Sequence, residues 1–171
     1  MSISTRGRLG AFGAAQTVLF LPLAALDRRM MRTGGPGIIP FELAGTTEHS
    51  RKILDTWGEE GRSAARRSLL LDYPFLVAYS GFNLACSAAA SDALRSNGAS
   101  ALARAGRSVG AMQVAAGACD AAENTALLGV LAGHDERLPG MARAFASAKF
   151  ALLAVGWSYA ALGLASRLFR R

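Results

Sequence analysis

The 171-residue chain has two lysines, two histidines and two cysteines, and each scarcity closes off a class of chemistry. His49 and His134 lie in separate polar stretches, neither at the spacing of a metal-ligand set, so no metal site is expected. Cys86 and Cys119 fall inside apolar segments with no Cys-x-x-Cys pattern, and read as packing residues. There is no Gly-x-Ser-x-Gly elbow and no phosphate-cradling glycine loop. No histidine stands within an apolar segment to ligate haem, and no Glu-x-x-His pair points to a di-iron bundle. No cofactor is expected.

Charge is also scarce. Charged residues make up 18% of the chain and hydrophobic residues 51%, against about 25% charged in an ordinary soluble domain. What charge there is crowds between four nearly charge-free stretches: 9–26, 69–94, 109–133 and 141–166. Each approaches or exceeds the ~20 residues that cross a bilayer as a helix. The composition therefore predicts an all-α, polytopic four-helix membrane bundle, a single integral membrane domain over residues 1–171.

The first stretch contains Pro22 and follows Arg6 and Arg8, the flank of a signal peptide. Asp27-Arg28-Arg29 comes after it without a small-x-small cleavage site, so an uncleaved span is expected. Between the first two spans, Thr33-Gly34-Gly35-Pro36-Gly37 reads as a turn. The segment 38–67 reads as interfacial, with Ile38-Ile39-Pro40-Phe41 followed by an amphipathic helix capped by Thr46 or Thr47. Ile53, Leu54, Trp57, Ala64 and Ala65 form its apolar side. This helix is expected to run straight into the second span and to bend near Pro74. Residues 91–108 read as a polar, arginine-bearing connector with room for a short helix, and 134–140 as a tight loop ending in Pro139-Gly140.

The basic residues are 17 arginines and two lysines, giving a net charge of +7. In a soluble chain that balance points to nucleic acid, but no aromatic–basic platform accompanies it. Flanking membrane spans, it fixes orientation and meets anionic lipid. With four spans, one side carries Arg6, Arg8, Arg95, Arg104, Arg107, Arg167, Arg170 and Arg171 against Asp92 alone. The other side has ten bases but also eight acids. The compact arginine clusters favour cytoplasmic termini in a bacterial inner membrane. The partners expected are the bilayer, with anionic lipid, and a larger membrane complex or a second copy of the chain; nucleic acid is not expected.

Each span carries polar residues at helical spacing. In the third, Gln113, Gly117, Asp120 and Asn124 share a face, with Glu123 beside them. In the second, Asp72, Tyr79, Asn83 and Ser87 do the same. Lys149 stands alone in the fourth, and the first holds Gln16 and Thr17. Such residues face a bundle interior rather than lipid. Lys149 with Glu123 or Asp120 is the ion pair expected from helical depth.

Two readings of these residues compete. As glue, they hold helices together beside the close-approach pairs Gly117-x-x-x-Ala121 and Gly156-x-x-x-Ala160. As a site, three carboxylates facing one ammonium would bind a proton, a cation or a small amphipathic ligand. The candidate residues are Asp72, Tyr79, Asn83, Gln113, Asp120, Glu123, Asn124 and Lys149. An accessory subunit or assembly factor is the alternative, and a small lipid-modifying enzyme a third reading.

Phe41-Glu42-Leu43-Ala44-Gly45-Thr46, Ile53-Leu54, Trp57-Gly58 and Leu71-Asp72-Tyr73-Pro74-Phe75-Leu76, with Asp120-Ala121-Ala122-Glu123-Asn124, resemble a group of small bacterial four-helix membrane proteins. The resemblance covers most of the chain from Phe41 onward and implies a membrane bundle, with no activity to transfer. The alanine and arginine richness fits a GC-rich bacterial genome.

Overall fold

The computed structural model describes residues 3–168, and every regular element among them is a helix. These are α1 (Ile3–Arg32), α2 (Ile38–Glu42), α3 (Thr47–Ser96), α4 (Ser100–Leu131) and α5 (Leu138–Leu168). Three of them, α1, α3 and α5, are long and apolar enough to cross a membrane. At 32 residues α4 has the length. It misses the apolarity, because Gln113, Asp120, Glu123 and Asn124 all fall in its otherwise apolar half.

The helices outlast the apolar runs. α1 extends through the arginines on both flanks, which are good helix formers, and stops where Gly34 takes a positive φ of 88°. The polar connector expected over residues 91–108 is instead helical on both sides of a three-residue turn, Asn97–Ala99. Gly98 supplies the left-handed residue there (φ 79°). Ala99 N–H donates to the Leu94 carbonyl and Gly98 N–H to that of Arg95, a Schellman closure. Gly133 closes α4 in the same way, with His134 N–H on the Gly129 carbonyl. Hydropathy marks where a helix is greasy; these glycines decide where it ends.

Thr46 caps α3, its hydroxyl accepting from His49 N–H at 3.2 Å. The helix does not continue regularly into its apolar half. Gly58, with φ 58° and ψ −158°, is its non-helical residue, whereas the helix runs on through Pro74. The break in this helix lies sixteen residues before Pro74. Proline keeps a helical φ and forfeits one hydrogen bond, but this backbone conformation is open essentially to glycine alone. Across the break, Arg62 Nε donates to the Leu54 carbonyl at 2.9 Å while Arg62 Nη2 meets Asp55 at 2.9 Å. Glu59 and Glu60 follow at once, in the turn where a restarting helix favours negative charge.

The chain divides into two compact units. The described parts of Met1–Gln16, Val77–Gly117 and Lys149–Arg171 form the first, from the opening turns of α1, the later half of α3, the first half of α4 and the last part of α5. Small residues set its packing. Gly81 leaves room for the Phe12 ring, a Cβ on Gly13 would lie 3.3 Å from the Phe82 ring, and Gly163 fits against Ala90. Ala90, Leu94, Ala103, Val109 and Tyr159 make its buried apolar cluster. Tyr159 hydroxyl donates to the Leu102 carbonyl, Ser91 hydroxyl to that of Ala103, and Asn97 amide to that of Ser166.

The second unit, Thr17–Leu76 and Ala118–Ala148, holds the larger apolar core. Trp57 is 1% exposed and donates its indole N–H to the Pro36 carbonyl at 2.7 Å. The Phe41 ring lies 5.0 Å from it, so the α2 residue expected at the membrane interface is a core residue. Asp27 accepts from Ile38 N–H at 2.7 Å and fixes the start of α2. On the amphipathic stretch of α3, Ser50, Ile53, Leu54, Trp57, Ala64, Ala65 and Leu69 are buried at helical spacing.

Gly58→Ala should lower stability by about 1–3 kcal/mol, the range for forcing a side chain into a glycine-only conformation. No atom lies within 4 Å of the added Cβ, so the loss comes from the backbone. Gly10→Ala, in open space within α1, should be neutral or stabilising by up to about 1 kcal/mol. Thermal unfolding of the detergent-solubilised protein, followed by circular dichroism, compares the two.

Candidate ligand site: the polar seam of α4

Burial along α4 follows a heptad rhythm. Ala103, Gly106, Gly110, Gln113, Gly117, Asp120, Asn124 and Leu127 are buried at alternating steps of three and four, the period of a helix seam that keeps facing its neighbours. Between Val109 and Thr125 the exposed residues are Ala111, Met112, Val114, Ala115, Ala118 and Thr125. The polar residues that lower the mean hydropathy of α4 are thus the ones turned inward. α5 is similar: Ala142, Ala146, Lys149, Leu153, Gly156 and Gly163 are buried, while Val155, Trp157, Leu162 and Leu164 are exposed. Most of the large apolar groups of α5 lie outside, and small or polar groups make up most of the inner faces of both helices.

Within the second unit, α3 and α4 are joined by two adjacent side-chain pairs. Asn124 Nδ2 donates to Asp72 Oδ2 at 2.7 Å. One residue further on each helix, the Tyr73 and Thr125 hydroxyls are 2.8 Å apart, and Thr125 also donates to the Ala121 carbonyl at 2.8 Å. Asp120 and Glu123 precede Asn124 by one turn and by one residue, with 4% and 0% exposure. Asp120, Glu123 and Asn124 therefore span roughly 100° of α4 and about 6 Å of its length. Asp72 is half-buried at the edge of the group.

The remaining candidates belong to the first unit. Gln113 is fully buried, and its Nε2 donates to the Leu152 carbonyl of α5 at 3.0 Å. Its amide fills the space where any side chain on Gly156 would project. Tyr79 is buried and Asn83 half-buried; the Asn83 carbonyl accepts from the Ser87 hydroxyl at 2.9 Å. Lys149 is 6% exposed, its Nζ 4.8 Å from the Phe150 ring centroid. The eight candidates thus divide as four and four: Asp72, Asp120, Glu123 and Asn124 in the second unit, the others in the first.

Two polar features lay outside the stripe reading. Tyr73 and Thr125 adjoin Asp72 and Asn124 in sequence, and a rule of steps of three, four and seven skips adjacent residues. Glu42, one of the eight acids on the side with ten bases, is 8% exposed in α2; its position beside Phe41 in an apolar run is the available signal. Comparison with known proteins adds no name to this arrangement: the chain matches no protein family, no curated protein and no solved structure.

Gly156→Ala should destabilise the protein by about 1–3 kcal/mol through collision with the Gln113 amide. Adding Gln113→Ala should recover part of that loss. A thermal double-mutant cycle with non-additivity above about 0.5 kcal/mol supports the contact, and additive effects contradict it.

Proposed function

We propose that the chain is a polytopic membrane protein whose buried carboxylates bind a proton, a cation or a small amphipathic cationic ligand. One observation carries the reading: Asp120 and Glu123, one turn apart on α4, are both withdrawn from the surface beside the Asp72–Asn124 pair. Charge is costly in such surroundings, by a few kcal/mol for an isolated group even on lenient membrane scales. Neighbouring carboxylates repel one another, and a bound cation relieves that repulsion. The amide of Asn124 holds Asp72 Oδ2 and so fixes that carboxylate beside the pair on α4.

The inward turn of its polar residues supports α4 as a fourth span, since a face-averaged hydropathy undervalues a helix whose outer side is apolar. α1, the later part of α3, α4 and α5 then form a four-span bundle in a bacterial inner membrane. The acid-poor arginine clusters near the termini support a cytoplasmic location for both. A reporter fused to the C-terminus should be active in the cytoplasm; activity on the opposite side overturns the orientation.

Asp120→Asn with Glu123→Gln keeps shape and removes both charges. The variant should accumulate in the membrane at wild-type level. The wild type's thermal midpoint should respond to pH and to an added hydrophobic ammonium ion, and the variant should lose both responses. Equal responses refute the site, and failure of the variant to accumulate supports structural glue. Recovery of a stoichiometric protein partner in mild detergent favours the accessory-subunit reading instead.

A further inference from the structure

We infer that the helix ends of the first unit form a docking surface for anionic phospholipid headgroups. The inference rests on the membrane reading above and concerns a different part of the chain from the carboxylate group.

The segments of this unit contain one acidic residue, Asp92. They present six exposed arginines among the described residues: Arg6 and Arg8 where α1 begins, Arg95 where α3 ends, Arg104 and Arg107 where α4 begins, and Arg167 where α5 ends. Three of these ends are tied together. Only Asn97–Ala99 separates α3 from α4, and Ser91 bonds across to the Ala103 carbonyl. Asn97 holds the Ser166 carbonyl, and Arg167 Nη2 donates to the Ala89 carbonyl at 3.0 Å. Contact of Phe12 with Gly81 keeps the first turns of α1 beside α3.

Two features distinguish this surface from ordinary flanking charge. First, the helix starts carry base where acid is the usual choice. The first turns of α1 and α4 contain no acid; Arg6 stands in that of α1 and Arg104 next to that of α4. Helix stability alone would place carboxylates there. An external anion relieves both the repulsion among the guanidiniums and the dipole conflict.

Second, the charge is continuous with apolar surface. Leu102 is 50% exposed between Arg95 and Arg104 in sequence, and Leu162, Leu164 and Leu168 are 52–73% exposed below and beside Arg167 on α5. Phosphate beside hydrocarbon is the chemistry of a phospholipid rather than of a free phosphate or a nucleic acid. Guanidinium groups suit it, since each offers paired donors to phosphate oxygens.

The test uses the full chain purified in a neutral detergent and titrated with phosphatidylglycerol or phosphatidylcholine, with bound lipid read by native mass spectrometry and stability by thermal midpoint. Phosphatidylglycerol should be retained preferentially and should raise the midpoint, less so as salt is added. Replacing Arg95, Arg104 and Arg107 by Gln removes three charges, each giving roughly a fivefold gain at an anionic surface. The triple variant should therefore lose about a hundredfold of the preference while keeping its helical circular dichroism.

Equal retention of the two lipids, or an unchanged preference in the folded variant, overturns the inference. So does a purified protein that carries nucleic acid which phosphatidylglycerol fails to displace. If the triple variant does not fold, the single replacements Arg104→Gln and Arg107→Gln are compared, each expected to cost roughly fivefold and each refuting the surface if neutral. Failure of the underlying membrane reading looks different: the protein would stay dispersed without detergent and enter vesicles of neither composition.

Discussion

Without water on its outer faces, a helix bundle gains little from turning leucine inward, so contact between helices depends on how closely their backbones approach and on what polar groups they share. On the membrane reading proposed above, that constraint organises the chain. Gly81, Gly156 and Gly163 stand where a neighbouring side chain occupies the space of a Cβ. The Gln113 amide reaches the Leu152 carbonyl because Gly156 has no side chain in the way. Asn124 and Asp72 tie α4 to α3 by the same logic, with hydrogen bonds in place of apolar burial.

The second unit answers to a different rule. Its core of Phe41, Trp57, Leu69, Leu127 and Met30 is built as a soluble protein builds one, from large apolar residues under an amphipathic helix. The Gly58 break serves that core. It lets the segment carrying Ile53, Leu54 and Trp57 end at Trp57, with Arg62 reaching back across it to the Leu54 carbonyl. Trp57 reaches its place through two glycines: Gly35 admits the ring, and Gly61 lies against the Cβ one turn on. A membrane-type packing of small and polar residues and a soluble-type packing of large ones coexist in one short chain.

Much of this could be read from sequence, and the misreadings have physical causes. Alternation of three and four over Gln113, Gly117, Asp120 and Asn124 identified the face of α4 that is buried, because helical period survives any tertiary context. Thr46 was legible as a cap for the same reason, since capping is local. Residues 91–108 were misread as a connector because arginine and serine look like loop by hydropathy, although arginine is a good helix former and Gly98 alone is needed for the turn. The break at Gly58 was not legible, because Gly58 looks like any other glycine until its backbone angles are known. The Asp72–Asn124 bond and its Tyr73–Thr125 neighbour join residues 52 positions apart, and nothing local in either helix sets that register.

The claim beneath all of this is that large apolar side chains face lipid while small and polar ones face inward. The chain's two tryptophans offer a direct test, since Trp57 is 1% exposed in the second unit's core and Trp157 is 59% exposed on α5. Trp57→Phe and Trp157→Phe variants, each left with a single tryptophan, can be reconstituted in vesicles whose acyl chains carry bromine as a contact quencher. The account predicts strong quenching of Trp157 and weak quenching of Trp57. Quenching of Trp157 by a water-soluble agent in place of brominated lipid would contradict it.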